Sequence, residues 1–118
     1  MRKLVLLLAI VCLTSVTYAQ QKSEPMKKTV VARLTIKKEA VESFVQFAQK
    51  IVEATRKESG CISYNLYKNT FGQEAEFIFY EEYKEQVALD FHNNSEHLKQ
   101  FFSKITPLLA GKPIVEVF

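Results

Sequence analysis

The chain has 118 residues, 47% of them hydrophobic and 25% charged, with only 3 Gly and 3 Pro. That composition excludes collagen-like, low-complexity and wholly disordered chains and suits one compact domain. Formal net charge is +3, from 16 Lys and Arg against 13 Asp and Glu; both signs are scattered, so no basic stripe tracks a phosphate backbone and nucleic acid is not an expected partner.

Met1-Arg2-Lys3 is a short cationic start, and Leu4 to Val16 is almost wholly apolar. Thr17-Tyr18-Ala19 then ends on a small residue, the layout of a secretory signal peptide cleaved after Ala19. The apolar run falls short of the roughly 20 residues that a membrane-spanning helix needs. Residues 1–19 are therefore expected to direct export, to the periplasm or beyond the cell, with no membrane partner after cleavage. Residues 20–27 are polar, contain Pro25 and read as a flexible leader. Cleavage would remove Cys12 and leave Cys61 as the single thiol, read as a small buried hydrophobe.

From Lys28 to Lys37 the chain alternates, with Val30, Ala32, Leu34 and Ile36 on one face, which predicts a first strand. Glu39 to Ser59 follows a helical period whose stripe is Val41, Phe44, Val45, Ala48, Ile51 and Val52, widened by Phe47. Gly60 is placed to end that helix in a left-handed cap. Cys61 to Lys68 and Ala75 to Tyr83 read as a hairpin joined by Asn69 to Glu74. In it Ile62, Tyr64 and Leu66 share one face, and Phe77, Phe79, Glu81 and Tyr83 another. Glu85 to Asn93 is a short helical piece, and Asn94 or Ser95 caps a helix carrying Leu98, Phe101, Phe102 and Ile105. Pro107 marks its end, and Pro113 to Phe118 is a last strand.

The order β-α-β-β-α-β is the ferredoxin-like α+β arrangement, a four-stranded antiparallel sheet with helices on one face. The hairpin carries large apolar groups on both faces, whereas a sheet face in contact with water is polar. A second copy is expected to cover the outer face, giving a two-fold homodimer with a shared barrel-like core.

No nucleotide loop, nucleophile elbow, C-x-x-C or H-E-x-x-H motif is present. The two histidines are His92 and His97. Their spacing does not match a helical metal pair and no clustered carboxylate joins them, so no metal site is expected. His92, near the end of the short helix, is a candidate general base, or else a helix-terminal residue interacting with carbonyls. His97 reads as surface. Glu81 and Glu82 are adjacent in a strand and point to opposite sides, so they are not a carboxylate pair. Glu81 shares its face with Phe77 and Phe79, either as a partly buried acid or as a salt-bridged edge residue. Tyr64, Tyr67, Tyr80 and Tyr83 are core or interface rings, a subset of which could line an apolar pocket.

Thr55 to Tyr67, Phe77-Ile78-Phe79-Tyr80-Glu81-Glu82-Tyr83, Ala88-Leu89-Asp90-Phe91-His92 and Ser95-Glu96-His97-Leu98 together resemble the antibiotic-biosynthesis monooxygenase (ABM) domain. Within it the resemblance is to the small quinol-monooxygenase-like branch, over Lys28 to Phe118. Tyr83 stands where the family commonly has Trp, and an export segment is unusual for it. The resemblance implies a dimeric α+β barrel and oxygenation of a phenol or quinol by O2 with no flavin, haem or metal cofactor. It also implies His92 as base or proton shuttle, with Tyr64, Asn65, Tyr80 and Glu81 as candidates at the substrate. The haem-degrading branch of the fold uses an Asn, a Trp and a His that fall at Ala32, His92 and Phe102 here; none of those types is present, which disfavours haem breakdown. The alternatives are a non-catalytic dimer that shelters an aromatic metabolite or quinone, and a haem-binding or haem-degrading relative in which His92 ligates iron in some other arrangement.

Overall fold

The computed structural model describes Glu24–Phe118. The expected signal peptide and the start of the expected leader lie outside the described residues. Among the described residues no helix is long and apolar enough to cross a membrane.

Four strands form one antiparallel sheet: β1 (Lys28–Ile36), β2 (Cys61–Lys68), β3 (Ala75–Tyr83) and β4 (Ile114–Val117), in the order β2-β3-β1-β4. Among the described residues three α-helices accompany it: α1 (Val41–Thr55), α2 (Gln86–Asn93) and α3 (Glu96–Ile105). Short 3-10 turns at Lys38–Ala40 and Thr106–Leu108 enter α1 and leave α3. The ferredoxin-like α+β fold is therefore as expected, with the second helical layer built from two helices.

The two-residue period of β1 and β3 decides which side of the sheet becomes core. Val30, Leu34 and Ile36 on β1, and Ala75, Phe77, Phe79, Glu81 and Tyr83 on β3, are all buried against the helices. From α1 they receive Phe44, Ala48 and Ile51, which recur at helical spacing. Phe44 is fully buried, its ring centroid 4.7 Å from that of Phe77 and 6.3 Å from that of Phe101. Val45, expected in the stripe, lies on its flank and is exposed.

Two local expectations are corrected. Cys61 pairs with Tyr83, while Ser63 pairs with the next residue, Glu82, so Ile62 is an extra residue in the ladder. Ile62 thereby leaves the face it was expected to share with Tyr64 and is exposed, and Cys61 packs on the core instead. Gly60 has no left-handed backbone. It is glycine for lack of room: a Cβ there would lie 2.3 Å from the Cβ of Ala88 on α2.

Candidate active site

The helical layer brings one acid and two histidines together from three segments. α1 ends at Thr55, earlier than its sequence period suggests, and the chain turns through Arg56 to Gly60. Arg56 Nε donates to the Tyr64 carbonyl at 3.0 Å, and Cys61 N donates to the Glu58 carbonyl at 3.1 Å. This turn puts the Glu58 side chain inside, 4% exposed, instead of on the outer arc of a longer helix. At the joint between α2 and α3, Ser95 Oγ donates to the His92 carbonyl at 2.6 Å and accepts from Leu98 N at 3.3 Å. Ser95 is thus the cap of α3, as expected, and it fixes the two histidine rings 6.0 Å apart.

Glu58 Oε1 lies 2.9 Å from His92 Nδ1 and 2.7 Å from His97 Nε2. The sequence expectation that no carboxylate joins the histidines is overturned, because the turn after α1, distant along the chain, supplies one. His97 is likewise not a free surface residue: its side chain is 30% exposed and held by Glu58. A carboxylate oxygen accepts, so Nδ1 of His92 carries the ring proton and, in the neutral ring, Nε2 carries the lone pair.

That Nε2 faces a second acid. Glu81 Oε2 is 4.0 Å from it and accepts a hydrogen bond from Tyr83 OH at 2.8 Å. On the sheet Glu81 sits between Val30 of β1 and Tyr64 of β2, both buried. Burial pushes its carboxyl up to about 7, with the Tyr83 hydrogen bond working against the shift and Glu58 adding to it. Burial also lowers His92, partly offset by the hydrogen bond and charge of Glu58. Tyr64 and Tyr83 are raised, by burial first and then by Glu81, so both hydroxyls keep their protons. Cys61, nearby, is pushed up to about 11 by burial, Glu58 and Glu81, and is an unreactive thiol at neutral pH.

Glu81, His92 and Tyr64 line a cavity of about 190 Å³ between the sheet and α2–α3. Its other walls include Ala32, Phe79, Leu98, Phe101, Phe102 and Val115, so the space is mostly apolar, with Asn93 and Tyr64 adding to the acid and the imidazole. An apolar cavity of about 150 Å³ holds a benzene. A single aromatic ring with small substituents therefore fits.

Of the residues singled out from the sequence, the fold brings His92, Tyr64 and Glu81 together and leaves Asn65 and Tyr80 apart. Asn65 and Tyr80 pair with each other on the opposite face of the sheet. There Asn65 Oδ1 accepts from Arg56 Nη2 at 2.8 Å, and Tyr80 OH donates to Glu82 Oε1 at 3.5 Å. Strand alternation separates each from its neighbour, Tyr64 or Glu81, by the thickness of the sheet. Glu58 was missed, and only its place just before Gly60 could have hinted that it leaves the helix.

Comparison with known proteins places the chain in a family. The chain is 29% identical to the uncharacterised Synechocystis protein sll1783 over 75% of its own length, and it spans 60% of the length of that protein. It is 34% identical to YcnE of Bacillus subtilis, a proposed monooxygenase, covering 68% of this chain and 83% of YcnE. The structure of Rv0793 from Mycobacterium tuberculosis superposes with a TM-score of 0.73 at 29% identity, covering 79% of this chain and 93% of that one. Rv0793 is also described as a proposed monooxygenase. Residues 28–104, from the first strand to the last turn of α3, match the family model described as antibiotic biosynthesis monooxygenase. Fold and match agree, and the chain belongs to the antibiotic biosynthesis monooxygenase family.

Proposed function

We propose that this protein is a monooxygenase that oxidises a one-ring phenol or quinol with O2 and needs no cofactor. The observation that carries the reading is His92, whose Nδ1 is held by a buried carboxylate while Nε2 faces an acid in a ring-sized apolar cavity. Family membership and the naming of YcnE and Rv0793 support the oxygenase class.

The chemistry asks three things of the chain. His92 Nε2 takes the proton from a substrate hydroxyl, and Glu58 stabilises the imidazolium that forms. The aryloxide is electron-rich enough to pass an electron to O2, and the resulting radicals combine at a ring carbon. Cleavage of the O–O bond leaves one oxygen on the ring and releases the other as water. A quinol plus O2 then gives a hydroxyquinone plus water, the substrate supplying all the electrons. Glu81, near half-protonated at neutral pH, is placed to give a proton to the departing oxygen. The apolar walls keep bulk water from the radical pair.

Oxygen consumption over a panel of one-ring hydroquinones tests this. His92→Gln should lower turnover about 10²- to 10⁴-fold, and Glu58→Gln at least about tenfold with little change in substrate affinity. Turnover no faster than autoxidation across the panel, with tight binding retained, would favour a shelter for the ring over an enzyme.

Two further parts of the reading concern the whole protein. Export is supported by the sequence of residues 1–19 alone. A two-fold dimer is supported by the sheet face away from the helices, where Tyr67 and Ile114 are more than half exposed beside Ile78 and Tyr80.

A further inference from the structure

Glu58, His92 and His97 come from the turn after α1, the end of α2 and the first turn of α3, and their ligand-type atoms all lie within 4.8 Å of one another. Both histidine nitrogens point at the single oxygen Oε1. The other oxygen, Oε2, is buried and has no hydrogen-bond partner among the described residues. A buried carboxylate oxygen left without a donor is costly, and each such atom in a folded protein calls for an explanation. A cation that takes Oε2 as well as Oε1, the carboxylate binding it through both oxygens opposite the two nitrogens, would supply one.

We propose that Glu58, His92 and His97 form a binding site for a divalent first-row transition ion, with Zn²⁺ the best-matched case. Two imidazole nitrogens and one carboxylate are a donor set such ions accept, with a remaining position for water. The surroundings match as well as the ligands. A metal-bound histidine almost always donates its other ring N–H to a carboxylate, a backbone carbonyl or water. Here Glu81 waits 4.0 Å from His92 Nε2, itself held by Tyr83. The way in is on the His97 side, since His97 is 30% exposed and His92 only 2%. Tetrahedral ligands about 2.0–2.1 Å from a metal stand roughly 3.3 Å apart, so the two oxygen–nitrogen distances, 2.9 and 2.7 Å, need to open by only about half an ångström.

The proton count is simple. Ligation at His92 Nδ1 moves that ring's proton to Nε2, and ligation at His97 Nε2 moves the other to Nδ1. The ion therefore lies behind the His92 ring, outside the cavity, and takes away the lone pair that faces the cavity. This consequence rests on the proposed role of His92 as base: the bound ion would then inhibit the enzyme.

The test titrates the chelator-treated full chain with Co²⁺ as a visible probe, then adds Zn²⁺ in competition. One equivalent of Co²⁺ should bind with the strong visible bands of a four-coordinate ion and be displaced by Zn²⁺. His97→Gln, a partly exposed position that leaves the core packing intact, should weaken binding at least about tenfold. Equal binding by the two proteins overturns the site, as does the lack of Co²⁺ uptake by the wild type at about 100 µM. Saturating Zn²⁺ should also stop oxygen consumption in the wild type and spare His97→Gln. If Zn²⁺ binds through these ligands and turnover is unchanged, the metal site stands and His92 as base falls.

Discussion

At the residue scale, the site works by setting two titrating groups against each other. Glu81 is held up at about 7 because the fold buries it between Val30 and Tyr64, while burial lowers His92 below the ordinary imidazole value. The competent form needs His92 neutral and Glu81 protonated, so the rate should fall above about pH 7 as Glu81 loses its proton. Glu81→Gln should remove that alkaline limb in a pH profile of kcat, and a limb that persists would assign it to another group. Stability follows the same two groups with opposite signs. Glu81, raised from 4.5, contributes stability that is full below about pH 4.5 and is lost as pH rises through about 7. His92, lowered from 6.5, contributes stability that is present above 6.5 and is lost as pH falls. By urea unfolding in the presence of a chelator, the wild type should therefore lose on the order of 2–3 kcal/mol relative to Glu81→Gln between pH 4.5 and 7, the His92 contribution being common to both.

At the scale of elements, what matters is how each one ends. α1 stops at Thr55 and its last polar residues become a turn, which is what turns Glu58 from a solvated helix position into the partner of both histidines. The extra residue Ile62 lets Cys61 and Tyr64, three apart, face the same side of the sheet. Gly60 lets α2 approach closely enough for His92 to reach Glu58. Gly60→Ala should push α2 away through the Cβ of Ala88, costing about 1–3 kcal/mol by chemical denaturation. It should also lower turnover by more than the lost stability explains, because the His92–Glu58 contact would lengthen. Unchanged stability would mean that the turn yields instead of the helix. Each of these features was hard to read from the sequence for one reason. Periodicity shows which face a residue favours inside an element, but a helix end, a bulge or a close approach depends on what packs against it.

At the scale of the whole molecule, the helices cover one face of the sheet and leave the other with Val31, Ile78, Tyr80, Tyr67 and Ile114 among polar neighbours such as Arg33 and Glu116. Arg33 and Glu116 sit 3.4 Å apart across β1 and β4, an exposed pair that adds little stability by itself. A second copy packed on this face would bury the rings without stranding those charges. Sedimentation at micromolar concentration should give twice the chain mass for the wild type and one chain mass for Ile78→Glu. A folded wild-type protomer of single mass would remove the dimer.

The alternation of β1 and β3, the helical stripe of α1, the Ser95 cap and the order of elements were all legible in the chain, because each depends on residues close together in sequence. The same local signals singled out His92 and showed that Glu81 shares a face with phenylalanines. They set Asn65 and Tyr80 on the faces opposite Tyr64 and Glu81, but could not tell which face would carry the cavity. Nor could they join Glu58 to His92 and His97, which lie more than thirty residues further along the chain. Only packing decided those: a contact between distant segments is set by the sum of burial across the core, and no short stretch of sequence carries it.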